Sequence, residues 1–117
     1  MKRLSGNIYD LPRELTGEEW FEPIASGSGQ TRIERIISTG QSSPEEFWYD
    51  QDQAEFVMLL QGQATLAFSD GEEVELNPGD WILVPARDRH RVVSTTSKPP
   101  CVWLAVHGPL EAIDGDA

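Results

Sequence analysis

The chain has 117 residues, a formal net charge of −11, two histidines and one cysteine. That length allows one domain with a single core. The acidic balance repels phosphate backbones and anionic lipid headgroups, which excludes nucleic acid and membrane surfaces as expected partners. A lone Cys101 excludes an internal disulfide and a cysteine-based zinc site and fits a reducing compartment. No stretch approaches the roughly 18 apolar residues of a membrane helix. The N-terminal residues lack the apolar stretch of a signal peptide, so a cytoplasmic protein is expected.

Residues 1–30 read as an N-terminal arm. Thr16 with Glu19 has the spacing of a helix capping box, with Trp20, Phe21 and Ile24 as apolar anchors, which predicts one short helical turn limited by Pro23. Residues 31–108 read as a β-barrel and 109–117 as an acidic tail. In Thr31–Ser38, Ile33, Arg35 and Ile37 share one strand face, while Arg32, Glu34 and Ile36 share the other. A polar loop with Pro44 leads to Phe47-Trp48-Tyr49; three adjacent rings cannot share one face, so at least one lines a pocket or an interface. Glu55, Val57 and Leu59 then alternate with Phe56, Met58 and Leu60. Both faces of that strand are apolar, so its outer side needs a cover, either the arm or a second subunit; a homodimer is expected.

Ala64–Phe68 and Val74–Leu76 flank an Asp70-Gly71 hairpin turn. Asn77-Pro78-Gly79 makes the next turn, before a short strand from Trp81 to Val84. His90, Val92 and Ser94 fall on one face of the following strand, and Cys101–His107 reads as a buried strand stopped by Gly108-Pro109. Short strands closed by Gly/Pro turns predict an all-β barrel or sandwich, and periodicity does not choose between them.

Two motifs narrow this. Glu55 is followed seven positions on by Gly62, and Gly79-Asp80 is followed by Pro85 and His90. In this order and separation the residues resemble the two motifs of a single-domain cupin, over roughly Thr31 to His107. The resemblance implies a double-stranded β-helix, or jelly-roll barrel, and a metal centre whose first motif supplies His-x-His. Here those places hold Tyr49 and Gln51 with one spacing, or Trp48 and Asp50 with the other. Arg87 stands for the second motif's central glycine and Ser94 for its closing asparagine. Of the ligands the resemblance implies, Glu55 and His90 match.

The expected ligand-binding residues are Trp48, Tyr49, Gln51, Glu55 and His90, with Glu55 and His90 facing one cavity and Val57, Leu59 and Val92 behind them. No bound metal is expected; an ion, if held, would use Asp50, Glu55 and His90, a set suited to manganese, with iron, zinc or nickel as other divalent choices. His107 enters that count only if it faces the same cavity; at the end of a buried strand it reads as a capped, structural histidine. Arg87, Arg89 and Arg91 read as a solvated rim paired with carboxylates, and Cys101 as a small core hydrophobe. No phosphate-binding glycine loop or nucleophile elbow is present. The expected function is binding of a small molecule in the barrel. The alternatives are a metal-dependent cupin enzyme of isomerase or oxygenase type with a nonstandard ligand set, and a side-chain-filled barrel serving as a structural or interaction protein.

Overall fold

The computed structural model describes residues 2–15 and 17–113. Eight strands run in chain order: β1 (Trp20–Ser26), β2 (Arg32–Ser38), β3 (Ala54–Gln61), β4 (Ala64–Phe68), β5 (Glu73–Leu76), β6 (Trp81–Val84), β7 (His90–Thr95) and β8 (Cys101–Gly108). They form a five-stranded sheet in the order β1-β2-β8-β3-β6 and a three-stranded sheet in the order β5-β4-β7, with every pairing antiparallel. The two sheets face each other as a jelly-roll barrel. No helix among the described residues is long and apolar enough to cross a membrane.

The expected helical turn is a strand instead. Trp20 to Ser26 pairs with β2 along the sheet edge, while Thr16, the expected cap, lies outside the described residues. Pro23 sits where this is tolerated, on an edge strand and beside a register shift between Pro23 and Ala25. Backbone pairing with β2 outweighs the weak local helix signal.

The core fills the space between the sheets. Val57, Leu59, Leu66, Phe68, Val84 and Trp103 are buried there together. Each such side chain contributes about 1.5–3 kcal/mol by leaving water. β8 lies at the centre of the larger sheet, and its inward row is Cys101, Trp103, Ala105 and His107. Register carries that row across the sheet: Glu55 lies opposite His107 on β3, and Ile36 opposite Trp103 on β2. On the smaller sheet a register shift between Val92 and Ser94 leaves Ser94 exposed, off the face it was expected to share with His90.

The outer face of the larger sheet carries Arg35, which is 8% exposed. Its guanidinium donates to Glu22 and to the carbonyls of Ile8 (3.2 Å) and Asp10 (2.8 Å), which ties the N-terminal segment across the sheet. The Arg35 pairing holds the Glu22 carboxyl below its ordinary value.

Gly62 joins β3 to β4. Its φ is +87°, and an added Cβ would come within 2.7 Å of Cys101 Sγ and Thr96 Oγ1. Both the left-handed backbone and the close packing require glycine there.

Candidate ligand-binding site

The barrel encloses a cavity of about 290 Å³. Its wall is apolar: Ile36, Val57, Leu66, Val84, Val92 and Trp103 contribute from both sheets. Its other end is polar, with Arg32, Glu34, Tyr49, Gln51, Glu55, His90 and His107. Glu19 and Phe21 lie at the edge made by β1 and the segment before it. Trp103 spends its indole N–H on Ser38 Oγ at 3.0 Å, so it meets a ligand as an apolar surface.

Two imidazoles flank one carboxylate. On one side, His107 Nε2 stands 3.0 Å from Glu34 Oε1 and 3.4 Å from Glu55 Oε2. Glu34 is on β2 opposite Ala105, whose small side chain leaves it room to reach His107 on the next inward position of β8. On the other side, His90 Nε2 faces Glu55 Oε1 at 3.7 Å, which is beyond hydrogen-bond distance. His90 Nδ1 lies 2.9 Å from the carbonyl oxygen of Asp88. A carbonyl only accepts, so Nδ1 carries the proton, and neutral His90 presents a lone pair on Nε2 to the cavity.

His90 is held on both faces by rings. Tyr49 stacks on it at 5.5 Å between centroids, and Phe68 lies against it at 5.9 Å. Burial works against charging this imidazole, but the Glu55 carboxylate and the Asp88 carbonyl together outweigh it, so its pKa is raised above 6.5. Burial pushes the Tyr49 hydroxyl up, with Glu19 and Glu55 adding to the effect, so it remains a protonated donor at neutral pH.

Tyr49, Gln51, Glu55 and His90 therefore meet at the cavity, with Val57 and Val92 in its wall. Leu59 is fully buried in the core beyond it. Trp48 does not line the cavity. The backbone of Tyr49 pairs with that of His90 (Tyr49 N–H to His90 O, 2.7 Å), which turns Tyr49 inward and, by strand alternation, its neighbours Trp48 and Asp50 outward. His107 faces the cavity as well as being paired. Arg32 and Glu34 are site residues that sequence reasoning left unassigned: both faces of β2 carry charge, so alternation does not say which face is inward. The parity of β8 was the available signal, since a buried Trp103 places His107, and through register Arg32, on the inner side.

Asp50 was the expected third donor for an ion. It is exposed, does not line the cavity, and pairs with Arg87 Nη1 at 3.1 Å. Arg87 itself keeps the left-handed backbone of the glycine it stands for, with φ +68°, and donates its N–H to Gln51 O at 2.7 Å. His107 Nε2 is already committed to two carboxylates. Among the described residues, no group of three or more His, Cys, Asp or Glu side chains is arranged to hold a metal ion. His90 and Glu55 alone fall short of the three protein ligands a tightly held catalytic ion takes. The donor set therefore does not fit the metal centre that a cupin barrel implies.

A crystal structure from Ralstonia eutropha JMP134, provisionally assigned as a mannose-6-phosphate isomerase, superposes with a TM-score of 0.85 at 43% identity, over 92% of this chain and 100% of that one. An L-ectoine synthase of Rhodococcus opacus (strain B4) is 29% identical over 126 aligned positions, 90% of this chain and 88% of the synthase. A quercetin 2,3-dioxygenase of Bacillus subtilis (strain 168) is 28% identical over 101 residues, 85% of this chain but only 30% of the dioxygenase. The chain thus spans less than a third of that larger enzyme. The model of the cupin domain matches residues 34–107, the stretch from the inward Glu34 to the inward His107, and with the barrel and its two motifs this makes the chain a member of the cupin family.

Proposed function

We propose that the protein binds an amphipathic small molecule inside its barrel, with the polar end on Glu55, His90, Tyr49 and Gln51 and the apolar part on Val57, Leu66 and Val92. The observation that carries this reading is the cavity itself: about 290 Å³, with polar groups at one end and an apolar wall at the other. A barrel filled by its own side chains would leave no such space. The half-exposed outer side chains Phe56, Met58 and Leu104, with Trp81 60% exposed beside Phe56, support a homodimer through that face. A cytoplasmic setting fits the unpaired Cys101.

A catalytic reading has one observation in its favour. Glu55 and His90 stand 3.7 Å apart in a desolvated site, a spacing across which a substrate proton could be exchanged, and the provisional isomerase assignment of the 43% identical relative supports that class of reaction.

The binding reading is tested with 2-phenylethanol, a neutral probe small enough for the cavity. Its titration is expected to shift backbone amide NMR signals of Val57, Leu66, Val92 and Trp103. A Leu66→Trp variant, which fills the apolar end, is expected to abolish those shifts. Shifts confined to Trp81 and the outer sheet face would reject the reading.

A further inference from the structure

The polar end of the cavity sets the donors of Tyr49, Gln51 and Arg32 beside two carboxylates. Glu34 and Glu55 bring two carboxylates from the strands on either side of β8, with side chains only 10% and 13% exposed. His107 answers them with its one Nε2–H, which is closest to Glu34. The guanidinium of Arg32 stands 3.8 Å from Glu34, at the rim and half exposed. Glu55 Oε2 lies 3.4 Å from His107 Nε2, and its Oε1 faces His90 Nε2 at 3.7 Å.

His90 is the telling residue. It is 94% buried by the complement of its 6% exposure, and its Nε2 makes no hydrogen bond among the described residues. With Nδ1 spent on Asp88, Nε2 is the ring atom that faces the cavity and a carboxylate oxygen 3.7 Å away. The gap leaves Glu55 Oε1 without a direct hydrogen bond from His90, so a donor entering from the cavity can satisfy it.

We infer that the ligand is an amine, presenting a cationic N–H donor group to Glu55 Oε1 and His90 Nε2 while its apolar part lies against Val57, Leu66 and Val92. This rests on the barrel-binding reading and gives it a ligand class. An ammonium supplies three donors to a site rich in acceptors and leaves Glu34 and His107 in their existing pair. A carboxylate in the same place would meet Glu55 as a like charge, with Arg32 already turned to Glu34. A neutral hydroxyl supplies one donor and no charge. The protein's net charge of −11 also draws cations toward it.

The test compares three probes of nearly equal shape at neutral pH: 2-phenylethylamine, 2-phenylethanol and 3-phenylpropanoate, each titrated by NMR against the full chain. The amine is expected to bind at least tenfold more tightly than the alcohol, and the carboxylate more weakly than both. Glu55→Gln is expected to reduce amine affinity to within about twofold of that variant's affinity for the alcohol. The ranking in the unaltered protein decides the matter even if that variant folds poorly. Equal or tighter binding of the carboxylate, or of the alcohol, overturns the amine assignment while leaving barrel binding in place. An amine preference that survives in a folded Glu55→Gln protein overturns it too. If none of the three probes shifts the cavity-wall signals, the barrel-binding reading fails along with it.

Discussion

The two histidines answer to the same carboxylate under different conditions. His107 sits on β8, the central strand of the larger sheet, with neighbours paired on both sides. Its Nε2 is within 3.4 Å of both Glu34 and Glu55. His90 sits at the start of β7, at the edge of the smaller sheet, and approaches Glu55 only to 3.7 Å. A closed pair in a fixed strand can hold a site in shape, whereas an open one can accept a ligand. The difference separates the residue that sets the cavity's floor from the residue that reads what enters it.

Breaking the closed side gives the largest effect. His107→Ala leaves Glu34 and Glu55 as neighbouring buried carboxylates without their shared donor. Leaving a buried acceptor without its hydrogen-bond donor costs about 1–3 kcal/mol, and that loss is expected in urea unfolding as a lower midpoint at an unchanged slope. The double change Glu34→Leu with His107→Leu removes the Glu34 carboxylate as well and should recover part of the loss, the rest staying with Glu55, which also loses its contact with His107. A single-variant loss below about 1 kcal/mol would mean that the His107 contact is solvated and that the contrast with His90 is false.

The open side is smaller in energy and depends on pH. His90→Gln gives up its aromatic contacts and should cost about 1–2 kcal/mol. The folded-state pKa of His90 is raised, so the charged form is favoured by folding. The sign follows: its contribution is fully present below the ordinary value of 6.5 and is lost as pH rises through the higher folded-state value. The stability difference between the unaltered protein and His90→Gln should therefore shrink from mildly acidic to mildly alkaline pH. A difference that stays flat or grows over that range would show that Glu55 does not favour the charged ring.

Much of this contrast is visible in the sequence, but unevenly. The two motifs placed Glu55 and His90 together because two-residue periodicity fixes a strand's inner face once one member is assigned. The same periodicity set Val57 and Val92 behind them. It could not orient β2, where Glu34 and Arg35 put a charge on each face and only pairing with β8 decides which turns inward. Trp48 does not reach the cavity because the register of an irregular segment depends on its partner, here the Tyr49–His90 bridge. The β1 strand was hidden by Pro23 and by a local helix signal, both of which yield to edge pairing with β2. What escaped the sequence in each case was a long-range backbone pairing, which local patterns do not encode.

Metal content sharpens the comparison at its quietest point, where little change is expected. A catalytic ion usually takes three protein ligands. His90 and Glu55 offer two, Asp50 is turned outward to Arg87, and His107 can join only by leaving Glu34. Losing that buried contact would cost about 1–3 kcal/mol by the same reasoning as for His107→Ala. A metal would have to bind strongly enough to offset it. The protein should therefore purify with less than one equivalent of manganese, iron, zinc or nickel by elemental analysis, and EDTA should shift its melting temperature by no more than about 1 °C, because ligand-linked stabilisation vanishes when nothing specific is bound. Stoichiometric metal lost in both His90→Ala and His107→Ala would show that the imidazole of His107 turns away from Glu34 to serve as a ligand. The two histidines would then be equivalent partners of one ion, and the division between a fixed and an open side would fall.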